Sequence, residues 1–162
     1  LSVSEAYQAA EALARHLDPR DIRPGQTVSL EFDPASEGGK SLLTFKGPVL
    51  PGLIKIREEH ETVVADGTAL LAILESLGLH IWFRYEKYRE EFEADDVVMA
   101  VDETPVGVFV ELEGGEGAIH ATARALGRTP DDYITDSYRF LFLQHRDANG
   151  LAGPDMVFAG RE

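Results

Sequence analysis

Charged residues alternate with aromatic and β-branched residues along two stretches of this chain, 83–92 (FRYEKYREEF) and 108–114 (VFVELEG). This alternation is typical of β-strands, in which residues two apart share a face of the sheet. The parity gives each strand a charged face, and the two faces together carry Lys87, Arg89, Glu91, Glu111 and Glu113. A chain with such strands is expected to fold around a sheet that presents cations beside carboxylates.

A charged sheet face has two interpretations. In the simpler one it is a solvated surface on which cross-strand ion pairs form. In the other it is an anion site, where Lys and Arg hold phosphate oxygens and carboxylates two residues apart hold a divalent metal that bridges to the same phosphates. The pattern of these two strands alone leaves both interpretations open.

Length and composition narrow the class of protein. We expect one domain over residues 1–162, because this length is enough for a sizeable core. The absence of cysteine excludes disulfides and thiolate metal sites and is typical of a reducing, cytoplasmic setting. The net charge of −14 argues against a nucleic acid polymer as partner, although clustered Lys and Arg can still hold a small anion. The apolar runs are too short to cross a membrane, and no signal peptide is expected.

Turn and cap signals divide the chain into short elements. Extended segments are predicted at residues 27–32, 40–46, 53–64, 80–92, 97–102 and 108–113. Helices are predicted at residues 2–17, 66–77, 118–126 and 136–145, with Gly78 and Gly127 closing the second and third. Antiparallel hairpins interrupted by packing helices indicate an α+β domain with a barrel or a strongly curved sheet.

Three smaller signals complete this outline. Thr129-Pro130 with two following acids is a helix-start signature. Ser137 and Tyr138 are expected to supply a helix cap and a core aromatic residue. The tail after Asp147 is predicted to be loop-like, with the apolar residues 156–158 docking against the rest of the fold.

Five segments follow one another in an order that identifies a family, namely 43–48 (LTFKGP), 55–61 (KIREEHE), 84–90 (RYEKYRE), 101–107 with 109–114 (VDETPVG, FVELEG) and 133–138 (YITDSY). This succession resembles the CYTH superfamily, the triphosphate tunnel metalloenzymes, and is most similar to its class IV adenylate cyclase-like branch. The resemblance covers residues 40–158, whereas residues 1–39 are expected to form a divergent N-terminal helix and strand.

The resemblance implies an eight-stranded antiparallel tunnel with a charged interior and helices packed outside. Members bind a triphosphate with Mg²⁺ or Mn²⁺ and either hydrolyse it or cyclise ATP; the substrate is inorganic triphosphate, a nucleoside triphosphate or thiamine triphosphate. By position in the motifs, the resemblance implies phosphate binding by Lys46, Arg57, Lys87 and Arg89. It implies metal binding by Glu111, Glu113 and Glu59, and further tunnel acids at Glu61 and Asp102.

The N-terminal part departs from the family pattern. The family's first strand reads E-x-E-x-K, which residues 1–39 do not contain, and residues 28–33 (VSLEFD) carry no cations where the family has R-x-R. We therefore expect a barrel that is incomplete at its N-terminal strand. Two alternatives to a triphosphate-processing enzyme follow: a non-catalytic module that binds anions or nucleotides, and a barrel that a homodimer completes.

Overall fold

The computed structural model describes residues 25–32, 41–94 and 96–159. Their contacts group them into two compact units. The first unit holds residues 25–32, 41–51 and 55–80, and the second holds residues 52–54, 81–94 and 96–159. Each unit is described separately below, and the single domain expected over residues 1–162 stays a prediction. The helix predicted at residues 2–17 lies outside the described residues.

The first unit contains a three-stranded antiparallel sheet. Its strands are β1 (Thr27–Phe32), β2 (Ser41–Lys46) and β3 (Glu59–Val64), in the order β1-β2-β3. The predicted hairpin of the first two strands is confirmed. The extended segment predicted at residues 53–64 is a strand only from Glu59 onward, because the chain first closes a short loop in which the N–H of Leu50 donates to the carbonyl of Ile56 at 2.7 Å.

A helix, α1 (Gly67–Ser76), follows β3 and packs against β1. Asp66 caps it by accepting a hydrogen bond from the N–H of Ala69 at 2.8 Å, and Gly78 follows its end at φ +88°, as the sequence predicts. Gly67 permits the close approach of this helix to the sheet, since a Cβ there would collide with the side chain of Ser41 and with the ring of Phe32.

The second unit contains a second three-stranded antiparallel sheet. Its strands are β4 (Tyr88–Ala94), β5 (Val97–Thr104) and β6 (Gly107–Gly114), in the order β4-β5-β6. The strands predicted at residues 97–102 and 108–113 are confirmed and extend slightly further than expected.

The strand predicted at residues 80–92 is wrong over its first half, because strand β4 begins only at Tyr88. The preceding segment instead pairs with the C-terminal tail, where Tyr85 forms a parallel bridge with Met156. The N–H of Met156 donates to the carbonyl of Arg84 at 3.0 Å, and the N–H of Glu86 donates to the carbonyl of Met156 at 2.9 Å. Met156 is fully buried, so the predicted docking of the tail is confirmed.

Two helices accompany this sheet. Helix α2 (Glu116–Ala125) packs on β5 and β6, close to its predicted span. Helix α3 (Tyr138–Asn149) is capped by Ser137, whose hydroxyl accepts from the N–H of Phe140 at 3.3 Å. It starts two residues later than predicted and runs four residues further. The Thr129-Pro130 signature opens only a 3₁₀ turn (Pro130–Asp132), because Tyr133 leaves helical geometry with ψ 132°.

These elements confirm the α+β class but correct its architecture. Among residues 25–32, 41–94 and 96–159, six strands pair as two separate three-stranded sheets, and their ladders do not form the expected closed eight-stranded barrel. In the part of the chain covered by these residues, no helix combines the length and the apolar character needed to cross a membrane.

Candidate functional site

The charged residues of the second unit lie on one face of its sheet. The antiparallel register places Arg89 opposite Asp102, and Ala100 between Glu91 and Glu111. Because side chains alternate along each strand, the same face carries a cluster that we call the charged face, made of Lys87, Arg89, Glu91, Asp102, Glu111 and Glu113. The parity predicted from the sequence for these side chains is the one that the register produces.

Asp102 forms the centre of the charged face, and its side chain is fully buried. Arg89 donates to it twice, from Nε to Oδ1 and from Nη2 to Oδ2, both at 2.6 Å. Lys87 Nζ donates to Oδ2 at 3.3 Å, and the hydroxyl of Tyr138 donates to Oδ2 at 2.6 Å. Both carboxylate oxygens therefore accept hydrogen bonds, which offsets the cost of removing this charge from water.

The ionisation of this centre follows from these contacts. Burial acts to raise the pKa of Asp102, but the hydrogen bonds from Arg89 and Tyr138 and the positive charge of Lys87 outweigh it and hold that pKa below its usual value. The hydrogen bond to Asp102 raises the pKa of Arg89 against the opposing effect of burial, and nearby Glu111 adds to the rise. Asp102 is therefore ionised and Arg89 protonated at neutral pH, so the two form an ion pair.

The guanidinium of Arg89 also contacts carboxylates nearer the solvent. Its Nη2 donates to Glu111 Oε2, and its Nη1 lies 3.5 Å from Glu91 Oε1 and 3.9 Å from Glu113 Oε1. The side chains of Lys87 and Arg89 keep 17% and 24% of their surface exposed, so both cations remain within reach of a ligand. The charged face thus presents a firmly held arginine and a more loosely held lysine beside carboxylates that are more exposed than Asp102.

The first unit carries a smaller cluster of the same kind. Lys46 lies opposite Glu59 in the register, with 3.7 Å between Nζ and Oε2. Arg57 Nε donates to Glu59 Oε1 at 2.6 Å. Burial acts to raise the pKa of Glu59, but the contacts with Arg57 and Lys46 bring it below its usual value. Glu61 lies on the same face and accepts a hydrogen bond from the buried hydroxyl of Thr44 at 3.2 Å.

The residues that the sequence singled out therefore fall into two groups. Lys46, Arg57, Glu59 and Glu61 belong to the first unit, and Lys87, Arg89, Asp102, Glu111 and Glu113 belong to the second. Within each unit the predicted cations contact predicted acids, whereas Glu61 accepts its hydrogen bond from Thr44. Their roles in binding phosphate and metal stay predictions.

The carboxylates of the charged face are the candidate ligands for the expected divalent metal. The described residues bring no three or more His, Asp or Glu side chains together in a way that could hold a metal ion. Both oxygens of Asp102 are occupied by hydrogen bonds, which leaves Glu111 and Glu113 as two carboxylates on one strand face. Mg²⁺ is commonly bound by one or two carboxylates together with water and substrate phosphates, so this pair fits that mode of binding.

Tyr138 is the member of this site that the sequence analysis placed elsewhere, as a core aromatic residue. It is the first residue of α3, and its hydroxyl reaches Asp102. Long side chains on a helix point back toward its N-terminus, so a tyrosine at the first position extends beyond the helix end. The place of Tyr138 at the start of a helix is therefore the sequence signal for this contact. The predicted cap by the preceding residue, Ser137, is confirmed.

The two sheets and the charged face define an α+β protein that anchors cations with a buried carboxylate. The sequence model of the CYTH domain matches residues 22–138, which is more than half of the chain. The chain belongs to the CYTH domain family, and the predicted family is confirmed.

Individual relatives agree with this assignment. A protein of Methanocaldococcus jannaschii named "Putative adenylate cyclase MJ0240" is 32% identical over 113 residues. The match covers 63% of this chain and 65% of that protein, so the chain spans just under two thirds of the relative's length.

Two solved structures share the fold. The PH1012 protein from Pyrococcus horikoshii OT3 superposes with a TM-score of 0.64 and 20% identity, over 73% of this chain and 75% of its own. A conserved hypothetical protein from Pyrococcus furiosus superposes with a TM-score of 0.62 and 20% identity, over 76% of this chain and 77% of its own. At this level of identity the two structures support the fold and nothing finer.

Proposed function

We propose that this chain binds a small-molecule triphosphate together with Mg²⁺ or Mn²⁺ and acts on it, as a phosphohydrolase or as an enzyme of the adenylate cyclase type. The observation that carries the proposal is the charged face, where buried Asp102 holds Arg89 by two short hydrogen bonds and Lys87 by a longer one, while both cations stay partly exposed. Membership of the CYTH family and the similarity to a relative named for adenylate cyclase activity support a function that involves triphosphates.

The cations of the charged face have the chemistry that phosphate binding requires. Lys and Arg form strong charge-assisted hydrogen bonds with phosphate oxygens. Arg89 is held by two hydrogen bonds to Asp102, so its orientation is set before a ligand arrives. Phosphoryl transfer depends mainly on positioning and on stabilising negative charge, and anchored cations supply both.

The carboxylates of the charged face have a separate role in the proposal. Glu111 and Glu113 would hold the divalent metal, which when bound neutralises phosphate charge and acts as a Lewis acid. Arg89 contacts these same carboxylates in the free protein. When a phosphate and a metal bind together, Arg89 can pair with the phosphate while Glu111 and Glu113 pair with the metal. Each charged group then keeps a partner of opposite charge. Lys46, Arg57 and Glu59 of the first unit stay predictions for the same function.

Turnover in the presence of metal tests the proposal. The chain is incubated with Mg²⁺ or Mn²⁺ and with tripolyphosphate, ATP or thiamine triphosphate, and phosphate, pyrophosphate and cyclic AMP are measured. We expect turnover of at least one substrate, and we expect the double substitution Glu111→Gln with Glu113→Gln to abolish it. A matched control, Glu90→Gln with Glu103→Gln, removes two exposed acids from the opposite face of the same sheet and should leave turnover unchanged. Equal activity of both double variants would overturn the metal assignment.

A non-catalytic module is the second candidate, and one observation favours it: the described residues bring no three acids together for a metal. This candidate predicts that tripolyphosphate binds and that no metal-dependent product forms. A homodimer that supplies missing strands also stays a proposal, and light scattering of the purified chain measures it directly.

A further inference from the structure

We propose that Tyr138 is a positioning residue that keeps Lys87 loosely held by Asp102, and so available to an anionic ligand. The inference rests on the anion-binding part of the proposed function and adds to it a contribution from helix α3. Tyr138 does not need to touch the ligand for this role, because it acts through the carboxylate of Asp102.

The first observation concerns how one oxygen is shared. Oδ2 of Asp102 accepts from Arg89 Nη2 at 2.6 Å, from the hydroxyl of Tyr138 at 2.6 Å and from Lys87 Nζ at 3.3 Å. Hydrogen bonds between an ammonium and a carboxylate are usually about 2.7–2.9 Å long. The bond of Lys87 is therefore long, while the two bonds that compete with it at the same oxygen are short.

The second observation concerns the ring of Tyr138, which is fixed independently of its hydroxyl. It packs edge-on against Phe109 at 5.5 Å between centroids and lies 6.1 Å from the ring of Tyr85. Lys87 Nζ lies 5.9 Å from the centroid of the same ring. A phenylalanine at position 138 would keep these ring contacts, so removal of the hydroxyl separates hydrogen bonding from packing.

Together these contacts predict the consequence of losing the hydroxyl. Without it, two donors remain for the two lone pairs of Oδ2, and the ammonium of Lys87 no longer competes with the hydroxyl for that oxygen. Lys87 then moves closer to Asp102, where it is already 83% covered by the protein, and a ligand must break a stronger ion pair to recruit it. The tyrosine hydroxyl thus sets how strongly the buried carboxylate competes with an anion for Lys87.

The first test uses the protein without ligand. A crystal structure of Tyr138→Phe should show the distance from Lys87 Nζ to Asp102 Oδ2 shortened from 3.3 Å to about 2.8 Å. An unchanged or longer distance would overturn the proposal. Because no ligand is involved, this result does not depend on whether the chain binds triphosphate.

The second test measures binding of tripolyphosphate by titration calorimetry. We expect Tyr138→Phe to weaken binding about fivefold to tenfold. In a Lys87→Met background the same substitution should have no further effect, because the cation on which Tyr138 acts is gone. A purely structural role for Tyr138 would weaken binding equally in both backgrounds, which contradicts the proposal.

Tyr133→Phe is the matched control, because it also removes a partly buried hydrogen bond that a tyrosine hydroxyl makes, in this case one of 2.9 Å with His120 outside the charged face. It should leave tripolyphosphate binding unchanged. If the unmodified chain binds no tripolyphosphate, the proposed function fails, and the role of Tyr138 is still decided by the distance in the free protein.

Discussion

Arg89 and Asp102 form a two-point ion pair in which each carboxylate oxygen accepts a 2.6 Å hydrogen bond from the guanidinium, while the carboxylate itself has no exposed surface. The planar donors of arginine match a carboxylate in this way, and a lysine cannot reproduce it. The pair joins the neighbouring strands β4 and β5 and sets the orientation of the Arg89 guanidinium.

Arg89→Met should lower the free energy of unfolding by about 3 kcal/mol, because a buried carboxylate that loses its principal partner remains as a poorly compensated charge. The value is at the lower end of the usual range, since Lys87 and Tyr138 still donate to Asp102. Urea denaturation followed by circular dichroism measures it. Arg84→Met is the control, because Arg84 is largely exposed and lies 3.9 Å from Asp155; its cost should stay below about 1 kcal/mol. A loss from Arg89→Met no larger than the control's would contradict this account.

The lowered pKa of Asp102 predicts how stability depends on acid. In the unfolded chain this carboxyl has its ordinary pKa of about 3.9, whereas in the folded protein its pKa is lower, so the unfolded state takes up a proton first. The stabilisation from Asp102 is therefore complete above about pH 5 and is lost as the pH falls through 3.9 toward the folded value.

Comparison with Asp102→Asn isolates this contribution from the other acids. The difference in free energy of unfolding between the unmodified chain and the variant should be constant from pH 7 to about pH 5 and should shrink below about pH 4. A difference that stays constant throughout, or grows in acid, would show that Asp102 is not held ionised by its partners.

Two glycines should respond to alanine with opposite signs. At Gly67 a Cβ would collide with the side chain of Ser41 in the adjacent strand and with the ring of Phe32, so Gly67→Ala should cost about 1–3 kcal/mol. At Gly117, within helix α2, a Cβ would meet no atom within 4 Å. Gly117→Ala should therefore stabilise the protein by about 0.5 kcal/mol through the unfolded state. Thermal unfolding of both variants measures the pair, and equal shifts would contradict the tight packing at Gly67.

The sequence predicted those features that depend on neighbouring residues in one strand. Side-chain parity is a local property, so the sequence places Arg89 and Glu91 on one face of β4 and Glu111 and Glu113 on one face of β6. The cap at Ser137 likewise depends only on the residues next to it. The family is recognisable for the same reason, because each of its motifs is a short segment whose alternation of side chains can be read without knowing which strand it pairs with.

Contacts between distant residues were not predictable in this way. Residues 81–87 have the composition of a strand, yet at residues 84–86 the backbone partner is Met156, some seventy residues further along the chain. Tyr138 reaches Asp102 across 36 residues, through a helix whose start the pattern placed two residues early. Within the described part of the chain, the pairing of six strands into two sheets likewise depends on which strands meet, and alternation alone does not encode that choice.

The central claim is that the charged face binds a triphosphate, and a calorimetric titration of the chain with tripolyphosphate and Mg²⁺ tests it most directly. We expect saturable binding that Lys87→Met weakens at least tenfold, since the variant would lose one of the proposed phosphate contacts. Arg124→Met, which removes one positive charge from exposed helix surface, should leave the affinity unchanged. Equal affinities for the unmodified chain and Lys87→Met, or no binding by the unmodified chain, would contradict it.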